Sequence, residues 1–290
     1  MPLYFVLSGF FFKAYEPKVF LIKKINNIVI PFLFWLTISD IWRVCFNLFY
    51  NHNLVDFTLV QFIKAPLYRF ILSNGALWFL ICLFTTNIMF CCISSICKND
   101  NKKVCFVILF CALSAYLLYR NEVKLPLWID SSLVALPFFF FGHCCRNMFW
   151  FKSEFSIKKS FSFGVGFIII SYGVYYIFNH VYILISENIF HGSPIMGYVN
   201  SVAFVMGVLL LCRVVRWLPI VSYFGRYSII VLCIHMPIIS FLPKLIEFLG
   251  YKIVPIWVFT VVLMLICWFA IPICKKWLPY FVAQKPLLKV

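Results

Sequence analysis

The sequence predicts an all-α polytopic integral membrane protein, and three observations carry that prediction. Of its 290 residues, 64% are apolar and 21% aromatic, and only 12% are charged. A soluble domain carries roughly 25% charged residues, so this chain lacks the polar surface to face water on all sides. The apolar residues are also gathered into runs, at 25–50, 76–97, 104–119, 131–149, 161–179, 198–216, 227–249 and 253–274. These approach the roughly 20 helical residues that cross a bilayer core of about 30 Å. Finally, Lys and Arg alternate between abundant and sparse from one connecting segment to the next.

The opening run, "MPLYFVLSGFFFK", reaches only twelve residues before Lys13. It is too short to span, but it brings the predicted count to about nine helices. Connections at 13–24, 98–103, 146–160, 213–226 and the tail hold 18 Lys and Arg; those at 51–75, 120–130, 180–197 and near 250 hold 6, with Arg43 left inside a helix. The richer set belongs in the cytoplasm. That places the C-terminus inside and residue 1 outside, so one more helix before Met1 would make ten with both ends cytoplasmic. No soluble insertion, linker or convincing repeat interrupts 1–290, which reads as a single membrane domain. Nothing at its start reads as a cleaved secretory signal.

The net charge of +16 sits in short loops between apolar helices, which argues for membrane topology and against a nucleic-acid partner. Thirteen Cys fall mostly inside apolar runs, among them Cys82, Cys91, Cys92, Cys105, Cys111, Cys212, Cys233 and Cys267. No CxxC and no Cys/His spacing suggests zinc, so they read as small packing residues and no metal site is expected.

Five stretches, in this order and spacing, resemble the membrane acyltransferase family usually called acyltransferase 3. They are "MPLYFVLSGFFFK" (1–13), "FLIKKINNIVIPFLFW" (20–35), "GALWFLICLF" (75–84), "LPFFFFGHCCR" (136–146) and "FGRYSIIVLCIHMPI" (224–238). The resemblance implies a ten-helix pattern in which the opening run is the second helix. The family's first helix, bearing a basic residue and a His thought essential for acyl transfer, has no counterpart from Met1 onward, so the chain reads as N-terminally truncated. The family also shows two basic residues seven and four positions before a Pro. Here Lys24 stands seven before Pro31, but Asn27 stands four before it.

The resemblance implies acyl transfer from acetyl-CoA, or another acyl-CoA, as donor substrate, with no bound cofactor. Such chemistry needs cations for the donor phosphates, a base for the acceptor hydroxyl, and stabilisation of an oxyanion. Lys23 and Lys24, at the cytoplasmic mouth of helix 25–50, and Arg226, where a cytoplasmic loop enters helix 227–249, are candidates for the phosphates; each reads equally as a positive-inside anchor. Asp40 and Arg43 share one helix face and can pair. Arg43 is then either a neutralised structural cation or a lining residue of the substrate path. His235 lies about eight residues into its helix, just before Met236 and Pro237. Pro237 removes a backbone donor and frees a carbonyl nearby. His235 reads as a base or substrate contact, or as a helix–helix hydrogen bond. Ser8, beside Gly9, is a close-packing position that the resemblance sets near the reaction centre. Trp78 is an interfacial anchor or a stacking platform for a sugar. His143 reads as structural, and His52, His180 and His191 fall in external loops.

The expectation is therefore an O-acyltransferase of the bacterial inner membrane, O-acetyl by preference. It would take an acyl-CoA and the hydroxyl of a cell-surface glycan or lipid-linked saccharide as substrates, with the lipid bilayer as its other partner. A polysaccharide-precursor transporter or flippase, and a truncated inactive acyltransferase, are the alternatives. A transporter should show paired half-helices or inverted repeats with midplane charges, and the sequence offers one Asp/Arg pair.

Overall fold

The computed structural model describes residues 1–290 except 14, 49–68, 70, 72–73, 147, 149, 151–154, 216, 249–254 and 290, and leaves aside the side chains of 244, 245 and 248. The helices are α1 (Pro2–Phe10), α2 (Pro17–Lys24), α3 (Ile30–Phe46), α4 (Trp78–Ile96), α5 (Asn101–Arg120), α6 (Ile129–Cys145), α7 (Ile157–Ile177), α8 (Pro194–Val214), α9 (Pro219–Arg226), α10 (Ser228–Phe248) and α11 (Ile256–Trp277). A hairpin of β1 (Tyr182–Leu184) and β2 (Ile189–His191) joins α7 to α8, with Ile183 opposite Phe190. Among the described residues, seven helical segments are long and apolar enough to cross a bilayer; α9 with α10, bent by 86°, makes an eighth if it is one span. Each of the eight long apolar runs meets one of these segments. The opening run forms a helix of only nine residues.

Tertiary contacts divide the chain into two compact units. The first holds Met1–Tyr15 and Thr85–Leu218, the second Glu16–Phe84 and Pro219–Val290.

In the first unit, α1 crosses α6 at backbone distance. A Cβ on Gly9 would lie 1.9 Å from the Phe139 carbonyl oxygen, and one on Gly142 would lie 1.9 Å from that of Val6. Helices α7 and α8 meet the same way, since a Cβ on Gly207 would fall 2.9 Å from the Gly164 oxygen. Small residues at helix crossings are how membrane helices gain van der Waals contact without a hydrophobic driving force. Helix α5 opens on Asp100, whose carboxylate accepts from the Lys102 amide at 2.9 Å. Its residues Phe106, Leu109, Phe110, Leu113 and Leu117 are exposed at three-to-four-residue spacing, a stripe suited to lipid.

In the second unit the helix expected from residue 25 begins at Pro17. Its fixed φ suits the first helical position, where the missing N–H costs nothing. The helix then widens into a π turn over Ile25–Val29 and continues as α3. Pro31 explains the position of that turn: it has no N–H, and its ring would clash with the carbonyl four residues back. Asn26, 3% exposed inside the π turn, donates to the Leu288 carbonyl at 2.9 Å and accepts from the Leu287 and Leu288 amides at 2.9 and 2.8 Å. Trp35 donates to the Phe281 carbonyl at 3.2 Å, and Phe34 stacks on Phe281 at 4.1 Å. The segment after α11 is thus laid along the π turn and α3. Cys267, Ile271 and Cys274 form the buried stripe of α11.

Candidate functional site

The polar centre of the second unit is built around Pro237. Lacking an N–H, Pro237 leaves the Cys233 carbonyl, four residues earlier, without its helical partner. Asn74 fills that place: its Nδ2 donates to the Cys233 oxygen at 2.7 Å and to Ser39 Oγ at 3.2 Å. Asn74 is fully buried and Ser39 is 1% exposed. A carbonyl can only accept, which fixes the orientation of the amide, and Asn74 Oδ1 is left without a hydrogen-bond partner among the described residues. An unsatisfied buried carbonyl costs about 1–3 kcal/mol, so this atom is suited to accept from a water or a substrate hydroxyl. A Cβ on the adjoining Gly75 would meet the Met236 methyl at 3.9 Å, an ordinary contact.

On α3, Asp40 directly follows Ser39 and Arg43 stands one turn beyond it, with Arg43 Nε 3.8 Å from Asp40 Oδ1 and Asp40 only 5% exposed. The i,i+3 pairing expected from the sequence is present. His235 turns away from this group, about 200° around the helix from Cys233. Its Nδ1 lies 2.9 Å from the Val231 carbonyl. Because that carbonyl can only accept, Nδ1 is the donor in this contact. Trp78 begins α4 directly after the Gly75–Leu77 turn, with its ring edge-on to Phe79 at 6.1 Å.

The basic candidates of this unit are partly structured. Lys23 and Lys24 occupy the last turn of α2 rather than a loop, because the helix starts before them. The Lys24 ammonium lies 5.3 Å from the centre of the Phe20 ring. Arg226 ends α9 and is exposed. Beside it, at the joint between α9 and α10, Tyr227 accepts from Lys275 Nζ at 2.6 Å, and the same ammonium stands 4.4 Å from its ring centre. Lys275 and Tyr227 were not singled out from the sequence. Their partnership spans 48 residues and joins two helices, so no local pattern carries it.

Ser8 belongs to the first unit, on α1. Asn87, fully buried on α4, directs its Nδ2 to Ser8 Oγ at 3.5 Å. Near the other end of α6, Ser132 donates to the Trp128 carbonyl at 2.9 Å and its Oγ lies 2.8 Å from Thr85 Oγ1; Asp130 and Ser131 beside it are fully buried. Leu127 and Trp128 precede α6 in the left-handed region, at φ 55° and 52°. Each such bulky residue stores about 1–3 kcal/mol of strain, which marks this buried polar seam as a second centre. A spacing signal for it was present in "WIDSS", where an Asp and two Ser open an apolar helix. His143 packs edge-on to Phe12 at 5.9 Å in the same unit. Lys64, Lys252 and His52 lie outside the described residues. Among those described, no group of three His, Cys, Asp or Glu side chains is placed to hold a metal.

Apolar spanning helices with buried polar centres define an integral membrane protein. The acyltransferase 3 family model, described as an acyltransferase domain, matches residues 1–275, and the chain belongs to that family. No curated protein and no solved structure matches it significantly.

Proposed function

We propose that the chain is a bacterial inner-membrane O-acyltransferase, moving an acetyl or other short acyl group from cytoplasmic acyl-CoA to a hydroxyl of a surface glycan or its lipid-linked precursor. The observation that carries this reading is the family match over nearly the whole chain. In it, His235 Nε2 takes the proton from the acceptor hydroxyl as the oxygen bonds to the acyl carbon. The thioester C–S bond then breaks, and the proton passes to the departing thiolate, giving free CoA. Lys23, Lys24 and Arg226 meet donor phosphates as point charges and a guanidinium fork. Arg43, Trp78 and Ser8 contact the acceptor. The bilayer holds a chain of about nine helices with its C-terminus in the cytoplasm.

The test is transfer of label from radioactive acetyl-CoA in membranes carrying the protein together with the host surface glycan. Label that enters the glycan and is released by hydroxylamine is the expected result. His235→Gln should lower transfer by about 10²–10⁴ at unchanged protein level, the usual contribution of a general base. Glycan that crosses the membrane without acquiring label would replace this reading with the transporter. Transfer that survives His235→Gln would remove His235 from the mechanism.

A further inference from the structure

A cavity of about 530 Å³ lies within the first unit, between the end of α5 with the turn that follows it and the tip of the β1–β2 hairpin. Its volume is in the range of roughly 300–1,000 Å³ typical of small-molecule sites. The ionisable residues of its lining are Arg120, Glu122 and Lys124, two cations and one anion, with Tyr119 and Val123 between them. Neither Arg120 nor Glu122 forms an ion pair among the described residues.

The hairpin side of the cavity is pinned to α5. Asn188, only 1% exposed, donates from Nδ2 to the Ala115 carbonyl at 3.1 Å. The Phe190 ring packs against Tyr116 and Tyr119, at 5.7 and 5.5 Å. Lys124 reaches across to donate to the Glu187 carbonyl, and its ammonium stands 3.9 Å from the Glu187 carboxylate.

Arg120 also continues the exposed stripe of α5. It follows Leu113 by seven residues and Leu117 by three, so it stands on the same helix face. From Phe110 to Arg120 the helix rises about 15 Å, half the roughly 30 Å of a bilayer core. An acyl chain lying along the stripe therefore brings its headgroup to the charges of the cavity.

We infer that this cavity seats the headgroup of a phosphoethanolamine lipid, with its phosphate on Arg120 and Lys124 and its ammonium on Glu122. The two signs of charge select that class. A purely anionic headgroup would leave Glu122 facing another negative charge, and a glycerol headgroup offers it no cation. A choline carries the cation but has no N–H, so it cannot make the charge-assisted hydrogen bond that a carboxylate accepts from an ammonium. The inference does not depend on acyl transfer.

The experiment is native mass spectrometry of the full chain, stripped of lipid in detergent and offered equal amounts of dioleoyl phosphatidylethanolamine, phosphatidylcholine and phosphatidylglycerol. The ethanolamine lipid should be retained at least threefold over each of the others. Arg120→Ala should lower its retention at least fivefold, and Glu122→Gln should bring the ethanolamine and choline lipids to within twofold of each other. Lys158→Ala, at a lysine outside the cavity lining, should change neither. Arg120 and Glu122 are exposed, and thermal melts in the same detergent separate lost binding from lost fold; Glu122→Gln carries the test if Arg120→Ala unfolds. Equal retention of the three lipids by the parent protein, or a preference untouched by the cavity variants, would overturn the inference. Water-soluble phosphoethanolamine that displaces the lipid at equal concentration would overturn it too, by assigning the site to a soluble ligand.

Discussion

Gly142 and Gly9 are the most exacting positions of the first unit, because each faces a backbone carbonyl rather than a movable side chain. Gly142→Ala should lower stability by roughly 1–3 kcal/mol, the usual penalty of overpacking. Gly166→Ala, with nothing within 4 Å of the added methyl, should be neutral or stabilising by up to about 1 kcal/mol. Thermal melts in detergent compare the two. In the second unit, Asn74→Leu keeps much of the volume but cannot donate to the Cys233 carbonyl, and should cost nearly as much as Asn74→Ala, about 1–3 kcal/mol. The sequence reveals half of this arrangement: Pro237 announces a carbonyl without a partner. It does not reveal Asn74, which sits in an ordinary polar segment 159 residues away from the group it satisfies. The Asp40–Arg43 pair was legible because i,i+3 spacing in one helix is enough to bring the groups together.

At the level of elements, uninterrupted apolar length was the readable signal. Every long apolar run corresponds to a spanning helix or to the bent α9–α10 pair. What length does not encode is a boundary set by a proline. Residues 17–24 read as a basic loop because their lysines dominate, yet Pro17 starts a helix there and the π turn before Pro31 carries it on. The β1–β2 hairpin was likewise unread, since two three-residue strands give too short an alternation to distinguish from a loop. Asn26 turns the π turn into an attachment point for the chain end. Asn26→Ala removes three hydrogen bonds to Leu287 and Leu288. It should release the segment after α11 to limited proteolysis, with cleavage beyond Trp277 at least several-fold faster than in the parent and α11 itself intact.

For the molecule as a whole, the alternation of Lys and Arg makes the strongest claim, and it is testable without any activity. A cysteine-reactive, membrane-impermeant reagent applied to intact cells should label a Cys introduced at Glu187 and not one introduced at Gln284. The reverse labelling would invert the proposed orientation. Charge statistics reach this scale because each connection is short and its cations stay local. They do not reach the neutral members of the candidate centres: Asn74, Ser39, Asn87 and Ser132 carry no charge to stand out against an apolar background.

The second unit is assembled from two separated stretches, Glu16–Phe84 and Pro219–Val290, with residues 85–218 of the first unit falling between them. A ribosome therefore delivers Asn26 to the membrane 262 residues before the Leu288 that will satisfy it. At roughly 5–20 residues per second that wait lasts on the order of 13–50 seconds. Throughout it, the buried face of α3 and the amide in the π turn have to be sheltered by lipid, water or the insertion machinery. Substitutions near the end of the chain should then be felt as rapid quality-control turnover of an unfinished unit, even where the completed protein would tolerate them.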